Sequence, residues 1–209
     1  MLLSEQLCEF MGVIIGDGCT NKYGRSYQTN ISGDKILDLD YFSDILISIS
    51  KNLFNIDPKI IVRPSGISIN LYSKRLFEML TKRFEIPRGI KCYTVKIPQE
   101  IIKPSKEMIS ATLRGMFNTD GGIGIDKRKT YKKPYIRINY TSASPILINQ
   151  ISNILKSCSI PHSIHTTNRS HKHTAQQIQI NGEKNVKSFI NQIGFSNRRH
   201  TKKLDYLKE

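Results

Sequence analysis

Two nonapeptides decide how this chain is read: Phe10-Met11-Gly12-Val13-Ile14-Ile15-Gly16-Asp17-Gly18 and Leu113-Arg114-Gly115-Met116-Phe117-Asn118-Thr119-Asp120-Gly121. They align at an offset of 103 residues, and each runs an apolar helical stretch into Asp-Gly. Similarity at a distance marks an internal repeat. It continues downstream, with Ile36-Leu37 matching Ile146-Leu147 at an offset of 110 and both Ile69-Asn70 and Phe84 matching Ile180-Asn181 and Phe195 at 111. The order is kept, and the offset grows mostly once, by seven residues, at a basic turn-like tract from Ile125 to Pro134. Two halves built alike are therefore expected, 1–97 and 105–209, joined by a linker 98–104 between Pro98 and Pro104.

Each half carries the same element signals. The first helix is expected over Glu5–Gly16 and its counterpart over Lys106–Thr119, after Ser105 as N-cap. Gly18 and Gly121 suit a left-handed helix end. Alternation then marks strands: Tyr135, Arg137, Asn139 and Thr141 oppose Ile136, Ile138 and Tyr140, and Gln28, Asn30 and Ser32 alternate with Tyr27, Thr29 and Ile31. A 3.6-residue period at Ile36, Leu39, Phe42, Ile45, Leu46, Ile49 and Leu53 predicts a second helix that stops before Asp57-Pro58. Its partner starts at Ser144-Pro145 and faces Leu147, Ile151, Leu155 and Cys158 inward. Short strands follow at Ile60–Arg63, Gly66–Leu71, Ser163–Thr167 and Gln176–Ile180, and helices near Ser73–Arg83 and Glu183–Ile193 close the halves, the latter capped by Gly194. The expected class is α+β, an αββαββα unit made twice.

The 209 residues include 32 Lys and Arg against 17 Asp and Glu, a net charge of +15. The charged fraction of 23% is ordinary, so the basicity comes from scarce acids. With 38% hydrophobic residues the chain can fill a core, which excludes a disordered polycation and leaves a folded surface that attracts polyanions. No apolar run approaches the roughly 18 residues of a membrane span, so no membrane partner is expected. Met1-Leu2-Leu3-Ser4-Glu5 is not a signal peptide. Cys8, Cys19, Cys92 and Cys158 are dispersed and are expected reduced, inside a cell.

The motif helices carry two oddities. Gly12 and Gly16, like Gly115 and Thr119, lie four apart and form a small-residue stripe that another backbone could approach. Asp17 and Asp120 sit at the negative end of the helix dipole, a placement that costs each about 0.3–1 kcal/mol. If the helices pack through their small faces, the aspartates emerge together and suit a hard cation such as Mg²⁺. Cys158, His162, His165, His171 and His173 lack CxxC spacing and do not suggest zinc.

Both nonapeptides resemble the motif of the LAGLIDADG homing endonucleases, in the single-chain form with two motifs. Gly12, Ile14, Asp17 and Gly18 match in the first, and Leu113, Gly115, Asp120, Gly121 and the following Gly122 in the second. The resemblance implies a monomer of two pseudo-symmetric halves. In it, antiparallel four-stranded sheets form a DNA-binding saddle, with the motif helices at the interface. It implies metal-dependent hydrolysis of both strands of a long pseudo-palindromic DNA site, across the minor groove, leaving short 3′ overhangs and promoting intron or gene mobility. Asp17 and Asp120 would ligate the metal, helped by the carbonyls of Gly16 and Thr119. The ion would be Mg²⁺, with Mn²⁺ substituting and Ca²⁺ binding without efficient cleavage. A lysine after the third helix of each half is also implied; Lys91 fits, and Lys202, its repeat mate at an offset of 111, with Lys203 beside it. Ser32-Gly33-Asp34-Lys35 and Thr141-Ser142-Ala143-Ser144 match the water-binding positions poorly, and no residue there is carried over.

DNA contacts are expected from strand residues facing away from the core and from hairpin tips. In the first half these are Asn21, Lys22, Arg25, Gln28, Asn30, Arg63, Ser68 and Asn70. In the second they are Lys127, Arg128, Lys132, Lys133, Arg137, Asn139, Arg169, Lys172, Gln177 and Gln179. Alternatives are an RNA maturase and a catalytically inactive DNA-binding protein, both of which could dispense with the paired acids. An intein-borne nuclease fits poorly with a motif beginning at Phe10. The expected setting is an organelle matrix or a prokaryotic or phage-host cytoplasm.

Overall fold

In a computed structural model, which describes residues 1–128, 134–170 and 173–207 (the side chains at 168–170, 173, 206 and 207 apart), the repeat becomes two four-stranded sheets and the helices that cover them. Helix α1 (Glu5–Ile15) starts where the Ser4 hydroxyl accepts from the Leu7 amide, and α5 (Lys106–Thr119) where Ser105 does the same for Met108. These side-chain caps satisfy amides that have no partner inside the helix.

Strands β1 (Gly18–Tyr23), β2 (Ser26–Gly33), β3 (Ile60–Arg63) and β4 (Gly66–Tyr72) form an antiparallel sheet in the order β1-β2-β4-β3. Strands β5 (Gly121–Asp126), β6 (Tyr135–Ser142), β7 (Ser163–Ser170) and β8 (His173–Asn181) repeat it as β5-β6-β8-β7. Register agrees with the repeat: Gly18 pairs with Ile31, and Gly121 with Tyr140. The alternation read along β2 and β6 is borne out, since Thr29, Ile31, Ile136, Ile138 and Tyr140 are buried beneath more open polar neighbours.

Helix α2 (Ile47–Phe54) continues a π-helical segment, Tyr41–Leu46, and thus begins later than the apolar period suggested. Ile36, Leu37 and Leu39 are exposed. The cause is local. The Asp34 carboxylate accepts from the amides of Ile36 and Leu37, and Asp38 accepts from the amide of Asp34. This Asx turn competes successfully with helix. Helix α3 (Lys74–Glu78) likewise passes into π turns at Met79–Arg83. Helix α4 (Gln99–Ile102) occupies the expected linker stretch and buries Ile101. The partner of α2, α6 (Pro145–Ser157), starts at Ser144 and buries Leu147, Ile151, Leu155 and Cys158 as its period requires. Helix α7 (Glu183–Gln192) is followed by Gly194 at φ 71°, the left-handed conformation expected there. Two short elements follow, α8 (Arg198–Thr201) and a 3₁₀ turn (Lys202–Leu207).

Gly18 and Gly121 do not end their helices in the left-handed conformation. They open strands, and a Cβ on Gly18 would lie 2.6 Å from the Ile14 Cα, one on Gly121 2.4 Å from the Phe117 carbonyl oxygen. Lack of a side chain is used there for room, so the chain turns from helix to strand against the last helical turn.

The core joins both halves. Leu7, Phe10, Met11, Val13 and Ile14 of α1 are fully buried, as are Ala111, Leu113, Met116 and Phe117 of α5. Each such large apolar side chain contributes about 1.5–3 kcal/mol by leaving water. Phe117 also packs on Tyr140 and Phe189, with ring centroids 5.0 and 4.8 Å apart.

Candidate active site

The small-residue stripes are where α1 and α5 meet. A Cβ on Gly12 would lie 2.1 Å from the Thr112 carbonyl oxygen, and one on Gly115 2.1 Å from that of Glu9. Backbone touches backbone, so the two C-terminal ends arrive side by side. A Cβ on Gly16 would come within 2.1 Å of the Thr119 hydroxyl and 3.4 Å of an Asp120 carboxylate oxygen. Asp17 and Asp120 therefore share one place, and a cleft beside them is lined by Gly16, Lys91, Cys92, Thr141, Ser142 and Ala143.

The electrostatics follow from this crowding. Burial raises the Asp17 carboxyl to about 7, the Asp120 charge adds to the rise, and Arg199 and Lys91 oppose it. Asp120 is also raised by burial, against the pull of Lys91, Tyr140 and Arg199. Burial lowers the Lys91 ammonium, while Asp120 and Asp17 support its charge. Asp17 is half-buried and Asp120 reaches the surface, so an incoming ion has access.

Two basic side chains brace the helix ends in matching fashion. Lys91 Nζ donates to the Gly16 carbonyl at 2.5 Å, and Arg199 Nη2 donates to the Thr119 carbonyl at 2.5 Å. Gly16 and Thr119 are repeat mates, so Arg199 stands in the second half where Lys91 stands in the first. Lys202 is exposed at the start of the 3₁₀ turn, and Lys203 Nζ donates to the Ile123 carbonyl on β5. The basic partner of the second half thus lies one helical turn before the residue that the repeat offset selected.

The donor set at the helix ends is two carboxylates and the Gly16 and Thr119 carbonyls, all oxygen. That suits a hard divalent cation, which can keep waters and accept phosphate oxygens as further ligands. The carbonyls accept from Lys91 and Arg199 and keep one lone pair each. Among the described residues no group of three or more His, Cys, Asp and Glu side chains is placed to hold a metal. Two of the histidines are engaged singly, His162 just before β7 with Ser152 and Ile160, and His165 on β7 with Ser163.

Residues 107–194 match the family model for a LAGLIDADG-like domain. The homing endonuclease I-DmoI superposes at TM-score 0.64 in a structure with DNA and Ca, with 17% identity over 97% of both chains, and at 0.62 in a structure with DNA and Mn. The chain has the LAGLIDADG homing endonuclease fold. Among curated proteins it is 29% identical over 192 residues to a probable translation initiation factor IF-2 of Methanocaldococcus jannaschii, matching 90% of this chain and 15% of that protein. It is 28% identical over 204 residues to the replication factor C small subunit of the same organism, matching 96% of this chain and 10% of the relative. The chain thus spans only a small part of these two relatives.

Around the two motif helices lies a buried polar network that the sequence does not reveal. Glu9 accepts from Ser196 and Asn118 and pairs with Arg114 at 3.4 Å. Asn118 Oδ1 accepts from the amides of Ser196 and Asn197, and its Nδ2 donates to the Tyr41 hydroxyl. Burial raises the Glu9 carboxyl, and Ser196 and Arg114 pull it down. The Tyr140 hydroxyl is buried beside Asp120 without closing an ordinary hydrogen bond, at the position Ile31 holds in the first half. A polar residue on an otherwise apolar strand face was the one signal that could have marked it.

The candidate DNA contacts divide into three groups. Lys22, Arg25 and Arg63 are exposed, and Asn21, Gln28, Asn30 and Asn70 are partly open on the face opposite the core. Gln28 and Asn30 both donate to Asn70, and Gln177 to Thr141. Arg137 and Asn139 lie across Gly124 and Gly122 of the neighbouring strand, beside partly open Gln177 and Gln179. Lys127 and Arg128 are exposed, the latter paired with Asp126 at 2.8 Å. Ser68 departs from the expectation, being buried beneath the Arg63 guanidinium that donates to it. Lys132, Lys133, Lys172 and the Arg169 side chain lie outside the described residues.

Proposed function

We propose that this chain is a metal-dependent, site-specific endonuclease that cuts both strands of duplex DNA. The observation that carries the reading is the meeting of Asp17 and Asp120 at the ends of two helices packed backbone to backbone, each end braced by a basic side chain. A fold that only bound nucleic acid would gain nothing from crowding two carboxylates.

A divalent ion bound there would supply Lewis-acid polarisation of the phosphate and a more acidic water. The protein contributes the rest. Asp17 and Asp120 provide ligand charge that needs no reorganisation, and their mutual repulsion makes a cation welcome. Lys91 and Arg199 stand beside the carboxylates and can offset charge that develops on the phosphate oxygens. The polar strand faces, with Gln28, Asn30, Asn70, Arg137, Asn139 and Gln177, hold base-reading groups, and Lys22, Arg25 and Lys127 hold phosphates.

The finer reading is Mg²⁺ as the working ion, with Mn²⁺ substituting and Ca²⁺ binding without efficient cleavage. It includes a monomer on a long pseudo-palindromic site, cut across the minor groove to short 3′ overhangs. Similarity to parts of proteins named for translation initiation and for replication, two unrelated jobs, supports a mobile element carried in unrelated genes. Selection of cleavable sites from a randomised duplex library with Mg²⁺ tests the reading. Asp17→Asn or Asp120→Asn should then abolish double-strand cleavage and keep DNA binding; full cleavage by either variant overturns it.

A further inference from the structure

Resting on the reading of the chain as a nuclease, we propose that Asp38 is a positioning residue that the first half supplies to the chemistry of the second. Asp38 lies in the turn after β2, with 4% of its surface exposed. Its Oδ2 accepts from Arg199 Nη1 at 3.0 Å and from the Asp34 amide at 2.9 Å, and its Oδ1 accepts from Asn197 Nδ2 at 2.7 Å. Both side-chain donors come from the far end of the chain.

Arg199 is held on every donor it has in reach. Nη1 meets Asp38, Nη2 meets the Asn118 and Thr119 carbonyls, and Nε meets His200 Nε2 at 3.0 Å. Burial and the Arg199 charge lower His200 to about 3, so the imidazole is neutral and free to accept. Of these four partners Asp38 alone carries charge. Asp17 and Asp120 act on the guanidinium through space, but Asp38 is the one charged group that hydrogen-bonds it. Without that bond its hydrogen-bond acceptors are all neutral, which is costly for a largely buried charge. Asp38 also fixes the backbone that carries Arg199, because Asn197 caps α8 through its Oδ1 while its Nδ2 binds Asp38.

Lys91 does not draw on Asp38. It reaches Gly16 from a loop tied to its own sheet, where the Gly89 amide donates to the Thr20 carbonyl, and to the second half, where the Ser144 hydroxyl donates to the Val95 carbonyl at 2.8 Å. The two basic groups are therefore held by separate sets of contacts, and only that of Arg199 includes Asp38. Loss of Asp38 should release Arg199 while leaving Lys91 in place, so the two strands of the duplex should no longer be cut at similar rates.

The test is strand-resolved, single-turnover cleavage of a selected site by Asp38→Asn, Arg199→Met and the double variant, with DNA affinity measured in Ca²⁺. Asp38→Asn should slow one strand about 10–100-fold, the range for loss of a group that orients a site ligand, with nicked duplex accumulating and KM for DNA unchanged. In the Arg199→Met background the same substitution should add nothing further. Equal slowing of both strands, an additive effect in the double variant, or full activity of Asp38→Asn overturns the inference. A parent protein that cleaves no selected duplex instead overturns the nuclease reading on which it rests. Should Asp38→Asn unfold, Asn197→Ala keeps the carboxylate and its arginine, and it should leave the strand ratio closer to parent than Arg199→Met does; an Asn197→Ala ratio equal to that of Arg199→Met overturns the inference.

Discussion

Gly12 faces the carbonyl of Thr112 across the helix interface so closely that a Cβ would sit 2.1 Å from the oxygen. The obstacle is backbone, which cannot swing aside as a side chain can. Gly12→Ala should therefore part the helices and destabilise the fold by about 3 kcal/mol, the upper end of ordinary overpacking. Denaturant unfolding checks this, with an unaltered midpoint as the contrary result. Separation at Gly12 should also move the aspartates apart and weaken metal binding.

Stability of the metal-free protein should fall as pH rises from about 4 to about 7. Asp17 titrates near 7 when folded and near 4 when unfolded, so the folded state holds the extra proton in that window. Stability falls with pH wherever the native state binds more protons. After discounting for solvent screening, the loss is on the order of 1–2 kcal/mol. Asp17→Asn should flatten that part of the profile in thermal unfolding with EDTA. Mg²⁺ should reverse the trend in the parent protein, stabilising more at pH 8 than at pH 5 because its ligands must be deprotonated.

Arg199→Met and Lys202→Met should separate cleanly. Arg199 donates to the Thr119 carbonyl beside the carboxylates, and Lys202 is exposed. Cleavage at saturating DNA should fall about 10–100-fold in the first, as for loss of groups that support a metal site, and match the parent in the second. A slow Lys202→Met enzyme would return the role to that lysine.

Lys22 and Arg25 sit exposed at the first hairpin and should grip phosphate. Replacing both with alanine should lower the slope of log affinity against log salt by about 2, one counterion per contact. Binding titrations over a salt series read this directly, and an unchanged slope would remove the hairpin from the footprint.

The two motif helices were legible because their signals are local: Ser105 caps within three residues, and a repeat places Asp17 and Asp120 at equal positions. The second helix of the first half misled for an equally local reason. Ile36 and Leu39 keep the apolar period, but Asp34 captures the amides that a helix would have needed. The resemblance points to a lysine after the third helix in each half, Lys91 and its repeat mate Lys202. At the second helix end, however, it is Arg199, one turn earlier, that donates to the Thr119 carbonyl as Lys91 does to that of Gly16.

The sequence by itself determined the duplication, the element order, the small-residue faces and the paired acids, since periodicity and spacing record them in the chain. Tertiary structure alone decided that Glu9, Asp38, Asn118 and Arg199 form one buried network joining the halves, and that Tyr140 lies under Asp120. Asp38 and Arg199 are separated by 161 residues, and no local pattern marks either. Their charges look like solvated surface until the helices close. Burial then makes each require the other, because a charge removed from water needs a partner fixed in place.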